Sequence, residues 1–168
     1  MNHIDAMDDY SFDGEEYIDF DTEAGKKVVE NIFTSLYKEY RNRQKIDDVE
    51  RADIIVGIGR GCRHSFDDVK IVSDRLNATL AGTRPLQDIG LLKKEYVLGK
   101  SARSAWPKVY ITFGISGSIQ HIGTVYADDI IAVNHNKNSA IFRHAKYRIF
   151  GDANKIARFV RDTLNKLQ

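Results

Sequence analysis

Five short β-branched and apolar runs constrain this chain more than any other feature. Each is followed by small, polar or charged groups, and most lead into a helical pattern. The runs are Ala52–Val56, Thr79–Ala81, Val109–Phe113, Ile130–Val133 and Tyr147–Phe150. Such residues suit buried strands. Between and after them, apolar side chains recur at helical spacing: Phe66, Val69, Val72 and Leu76 within 65–77, then Ile156, Phe159, Val160, Leu164 and Leu167 at the end. Strands alternating with helices predict a parallel sheet with helices on both faces. Ligands of such sheets lie beyond the carboxyl ends of the strands. Those ends carry Gly59-Arg60-Gly61, Thr83-Arg84, Ser116-Gly117, Asn134 and Asp152. The same edge is small, polar or charged every time, which reads as a binding rim.

The stretch Val109–Val125 is the most informative of the five units. After Gly114, Ser116 is expected to cap a helix carrying Ile119, Ile122 and Val125 on one face. Unpaired N–H groups at such a helix start favour a phosphate or other anion. Gly117, without a Cβ, is expected to let a ligand approach the backbone. Gln120 and His121 follow within a turn. An ordinary strand–turn–helix crossover has the same composition, so this stretch alone leaves both readings open. Gly57-Ile58-Gly59-Arg60-Gly61 has the spacing G-x-G-x-G. It therefore meets neither the dinucleotide fingerprint G-x-G-x-x-G nor a Walker phosphate loop.

Other chemistries find little support. The G-x-S-x-G string of a hydrolase elbow fails because Ser118 stands where its last glycine would be. Cys62 and His64 lack further metal ligands at suitable spacing; Cys62 reads as a small filler, and His135 and His144 as surface residues. A single cysteine excludes an internal disulfide and fits a reducing cytoplasm. No secretory pattern opens the sequence, and no apolar run approaches the roughly 20 residues of a membrane span.

Charge divides the chain unevenly. Nine of its 24 acidic residues precede Lys26, where no Lys or Arg stands, leaving 25 basic against 15 acidic residues in the remainder. The basic residues are scattered without stacking aromatics, which argues against nucleic acid. Tyr10, Phe12, Tyr17, Ile18 and Phe20 are interleaved with the acids, so the arm is expected to pack on a basic, partly apolar surface of its own or a neighbouring chain. Residues 24–43 read as an amphipathic helix on Val28, Val29, Ile32, Phe33, Leu36, Tyr37 and Tyr40. Asp47–Arg51 is a polar joint, which gives an acidic arm and docking helix at 1–51 and a main domain at 52–168.

From about Ala52 to Gln168 the sequence resembles the C-terminal FAD-binding domain of the electron transfer flavoprotein α subunit. The resemblance rests on G-I-S-G-S-I-Q-H at 114–121 and on G-R-G after the first strand. It is supported by T-R at 83–84 with Asp88 and Gly90 behind it, P-K-V-Y at 107–110, A-V-N at 132–134 and F-G-D at 150–152. It implies a Rossmann-like three-layer α/β/α fold with a mainly parallel sheet of about five strands, preceded by the acidic arm and amphipathic helix. It also implies FAD as cofactor and an electron carrier, not a substrate-converting enzyme. Ser116, Gly117, Ser118, Ile119, Gln120 and His121 would hold the pyrophosphate and approach the flavin, with His121 near a flavin carbonyl. Arg84 would lie over the ring and Ser101 would hydrogen-bond it. Arg60 and Thr83 would line the cofactor's path, and Asn134 and Asp152, with Ala153 beside it, would hold the adenosine ribose. Leu98, Gly99, Lys100 and Ser101 belong to a flavin-side loop in which Val97–Arg103 replaces the family's Q-V-G-Q-T-G-K. The family's N-terminal domain has no counterpart in this reading, and residues 1–51 stand in its place. Expected partners are a β subunit or a dehydrogenase, with a homodimer through helix 24–43 as a further expectation. The alternative is a relic module that binds ADP, AMP or another adenine nucleotide without flavin redox activity.

Overall fold

The computed structural model describes residues 17–168. Each of the five expected runs forms a strand, and a sixth comes from within the arm. The elements are β1 (Ile18–Asp19), α1 (Glu23–Tyr40), β2 (Ile54–Ile58), α2 (Phe66–Arg75), β3 (Thr79–Gly82), α3 (Arg84–Asp88), β4 (Val109–Phe113), α4 (Ile119–Ile122), β5 (Asp129–Asn134), β6 (Tyr147–Phe150) and α5 (Ala153–Asn165). All strand pairs are parallel, in the order β1-β6-β5-β4-β2-β3. The chain leaves β2 to one side to form β3 and then returns to β2's other side to form β4. That reversal is the topological switch point at which sheets of this kind bind ligands.

Register explains the core. Val56 lies opposite Ile111, and Ile111 opposite Ile131, so alternate residues turn to the same face across the sheet. Ile54, Val56, Ile58, Val109, Ile111, Phe113, Ile131 and Val133 meet Val29, Ile32, Phe33 and Leu36 of α1, Val69 and Val72 of α2, and Ile156 and Val160 of α5. Thr22 starts α1 by accepting a hydrogen bond from the Gly25 N–H at 2.9 Å. Burial of Val29, Ile32, Phe33 and Leu36 contributes roughly 6–12 kcal/mol before conformational entropy is subtracted. Helix α1 is therefore fastened to the main sheet, and Ile18 and Phe20 are buried with it. The acidic residues up to Glu16, with Tyr10 and Phe12, lie outside the described residues.

The opposite face carries the third layer of the expected three-layer fold in a thinner form. Ile55, Ala81, Tyr110, Ile130 and Ala132 pack there against Val49, Leu98, Ala105, Ile115, Val125, Ile141 and Phe142. These partners belong mostly to loops and single helical turns. That layer is thin and irregular, and its loops wall the carboxyl edge of the sheet together with the short helices α3 and α4. No helix among the described residues is long and apolar enough to cross a membrane.

Candidate functional site

Glycines make the strand exits converge. Strand β2 runs two residues beyond the expected Val56, so Gly57 lies inside it and the turn begins at Gly59. A Cβ at Gly59 would sit 2.3 Å from the Gly114 carbonyl oxygen, and one at Gly114 would sit 2.6 Å from the Cys62 nitrogen. The Gly61 N–H donates to the Gly114 carbonyl at 3.2 Å. The G-x-G-x-G run thus serves a backbone-to-backbone contact between the β2 and β4 exits. Above that contact opens a cleft of about 560 Å³, a size ordinary for small-ligand sites.

The structure brings Arg60, Thr83, Arg84, Leu98, Gly99, Lys100, Ser101, Ser116, Ser118, Gln120, His121 and Asn134 to the cleft wall. Gly117, Ile119, Asp152 and Ala153 are not part of it. The missing Cβ of Gly117 faces Ile141, whose nitrogen would lie 2.4 Å away, and its φ is +82°. The glycine therefore admits the Ile141 backbone, whose N–H donates to the Ser116 carbonyl at 2.9 Å; the expected ligand approach at this residue is corrected. Ile119 is 84% exposed to solvent. Asp152 caps α5, accepting from the Asn154 N–H at 2.8 Å, while Ala153, the first residue of that helix, is buried. Asn134 is committed within the protein, donating to the Ile115 carbonyl at 3.1 Å and accepting from the Asn136 N–H at 2.9 Å.

The expected helix from Ser116 is also corrected. Only Ile119–Ile122 is helical, with Ser118 at its N-cap position. The spacing of Ile119, Ile122 and Val125 imitates a helical stripe, yet Ile119 points to solvent. A helix this short adds little dipole. What the segment offers is a row of donors: the backbone N–H groups of Ser116, Gly117, Ser118, Ile119 and Gln120 donate to no described residue. Among the described residues the cleft is lined by Arg60, Arg63, Arg84 and Lys100 and by no carboxylate. Free N–H groups beside unopposed cations make an anion site. Arg84 reaches across the mouth, its Nη2 donating to the Ser101 Oγ at 2.5 Å.

His121 sits at the floor, buried. Its Nε2 lies 2.6 Å from the Tyr110 hydroxyl and its Nδ1 3.1 Å from the Leu98 carbonyl. Burial lowers its pKa from the usual histidine value, against the raising effect of the Leu98 bond, and burial pushes the Tyr110 phenol up. Both ring nitrogens are thus engaged inside the protein. Arg63, His135, Asn136 and Ser139 also line the cleft and were missed from sequence. His135 and Asn136 directly follow the expected Asn134 exit, a signal that could have found them; Arg63 and Ser139 enter through turns with no such mark.

A parallel α/β sheet with an anion-binding cleft at its switch point defines a nucleotide-binding domain of the Rossmann-like class. Within that class the family model described as the electron transfer flavoprotein FAD-binding domain matches residues 48–126, and the chain belongs to the electron transfer flavoprotein α family. It is 32% identical over 166 residues to the electron transfer flavoprotein subunit alpha of Thermoanaerobacterium thermosaccharolyticum, a match covering 97% of this chain and 49% of that protein. It is 33% identical over 143 residues to the acryloyl-CoA reductase electron transfer subunit beta of Anaerotignum propionicum, covering 82% and 39% respectively. Protein FixB of Azotobacter vinelandii is 42% identical over 105 residues, covering 61% and 29%. The chain spans about half the length, or less, of these relatives. The first match reaches well before Ala52, so the arm and α1 also have counterparts in that relative.

Proposed function

We propose that this chain binds FAD in the cleft and serves as the cofactor-holding part of an electron carrier. The observation that carries the proposal is the pairing of the unbonded N–H groups of Ser116, Ser118 and Gln120, which line the cleft, with four basic side chains and, among the described residues, no carboxylate. The diphosphate would lie on those N–H groups, with Arg60 and Arg63 beside it. Arg84, Ser101 and the 97–103 loop would face the flavin, where Arg84 favours added negative charge electrostatically. When bound, FAD supplies the capacity to accept and release electrons; the protein binds it, orients it and sets its potential. The resemblance also puts Asn134 and Asp152 toward the adenosine ribose. A β subunit or a dehydrogenase is the expected partner, a homodimer through α1 a further arrangement, and the cytoplasm, suggested by the lone buried Cys62, the expected compartment. Among the described residues, every one lining the cleft falls within 52–168, which supports treating that stretch as the cofactor domain and 1–51 as its arm and docking helix.

The direct contact between Arg84 and Ser101 favours a second reading, in which that end of the cleft stays closed and only the adenine nucleotide part is held. Calorimetry with FAD and ADP, together with a visible absorption spectrum of the fresh protein, separates the two. A yellow protein binding FAD more tightly than ADP is expected. Equal affinities would leave the relic nucleotide module, and a protein that binds neither would end both readings.

A further inference from the structure

Four residues from two strands, the short helix α4 and a loop meet in one buried chain of contacts. Tyr110 on β4 lies opposite Ile55 on β2, and its ring leans over Gly57. A Cβ at Gly57 would stand 2.6 Å from both the Tyr110 Cε1 and its hydroxyl oxygen, so only glycine leaves room for this phenol. The hydroxyl ends 2.6 Å from His121 Nε2. On the far side of the ring, Nδ1 meets the Leu98 carbonyl at 3.1 Å. A carbonyl only accepts, so Nδ1 carries the proton; in the neutral ring Nε2 then accepts from the Tyr110 O–H. Leu98 belongs to the 97–103 wall, which is tied to the same segment a second time by the Lys100 N–H donating to the Gln120 carbonyl at 2.8 Å.

We infer that Gly57 and Tyr110 are positioning residues for the cleft: reaching through the gap at Gly57, the Tyr110 hydroxyl fixes His121 as the Nδ1–H tautomer, which anchors the Leu98 carbonyl and with it the 97–103 wall. Neither residue lines the cleft, and both act through His121. The consequence for FAD rests on the reading above, but the relay itself does not. A fixed wall would govern the flavin end of the cofactor, while the diphosphate relies on the 116–120 N–H groups. Loosening the relay would therefore penalise FAD more than ADP.

The test begins with the unliganded full chain labelled with ¹⁵N-histidine. Long-range proton–nitrogen correlation is expected to show His121 protonated on Nδ1 and accepting at Nε2; a proton on Nε2 in a neutral ring overturns the relay without any variant. Tyr110→Phe, checked for folding by circular dichroism, is then compared by amide hydrogen exchange. The Gly99 and Lys100 amides should exchange about ten-fold faster, the worth of one net hydrogen bond, while the β5 amides keep their wild-type rates. Unchanged exchange at Gly99 and Lys100 would overturn it. In calorimetry Tyr110→Phe and Gly57→Ala should each weaken FAD about ten-fold and ADP less than about two-fold. Equal losses for both ligands would refute the flavin-end role. Should wild type bind no nucleotide, the FAD reading falls and the flavin-end role with it, while the tautomer and exchange results still decide the relay.

Discussion

His121 is buried between Tyr110 and Leu98, and burial lowers its pKa although the bond to the Leu98 carbonyl works the other way. An unfolded histidine takes up its proton near pH 6.5, whereas the folded ring does so only at lower pH. Its contribution to stability is complete above that unfolded value and is lost as pH falls through the folded one. The urea midpoint of the wild type should therefore decline from about pH 7.5 to about pH 5.5. His121→Gln should start lower at neutral pH and lose less over the same range. Asp152 shows the same logic with a carboxylate. Burial raises its pKa, but hydrogen bonds from the Asn154 N–H and side chain and from the Lys155 N–H outweigh this and lower it overall. Asp152→Ala removes an N-cap and should cost about 1 kcal/mol by denaturant unfolding at pH 7. That difference should shrink in strong acid, below about pH 4, as the wild-type carboxylate protonates.

At the scale of elements, the loop joining β4 to α4 depends on one residue. Gly117 holds φ at +82° while its missing Cβ would lie against the Ile141 backbone. Gly117→Ala should therefore destabilise by at least ~1 kcal/mol, lowering Tm by ~2–4 °C per kcal/mol in a chain of this size. It should weaken ADP and FAD together, because it moves the N–H groups of 116–120. Scanning calorimetry and titration of the same preparation read both effects. The strands were legible in the sequence because β-branched runs such as Val109–Phe113 leave few alternatives, and the exits were legible because small and charged residues follow each run. Two features were not. Ile18–Asp19 is too short to announce itself among acidic neighbours and becomes a strand only by pairing with Ile149 and Phe150. Ile119, Ile122 and Val125 carry a helical period, yet the chain turns after Ile122 and leaves Ile119 in solvent. The cations of the rim were similarly half visible: Arg60 and Arg84 adjoin strand ends, whereas Arg63 reaches the cleft only because the turn Arg60–Ser65 winds back toward it.

For the molecule as a whole, charge and topology each set an expectation. A cleft lined, among the described residues, by Arg60, Arg63, Arg84 and Lys100 without a carboxylate should bind anions with a salt-sensitive component, because ions shorten the Debye length to ~8 Å at physiological strength. Affinity for FAD or ADP measured from low to high salt should fall, and Arg60→Ala combined with Arg63→Ala should flatten the dependence. A salt-independent affinity would mean that these side chains do not face the diphosphate. Topology places β6 between β5 and the two-residue strand β1, with the Phe20 N–H continuing the pairing to the Phe150 carbonyl at 3.0 Å. A chain shortened to begin after Phe20 would keep every described cleft residue but leave the outer rim of β6 bare, a row of amide and carbonyl groups open to a second molecule. Light scattering of that shortened chain should show concentration-dependent clumping that a chain beginning at Tyr17 does not. Two residues at the border of the sheet thus act as its selvedge, keeping an otherwise sound fabric from ravelling into its neighbours.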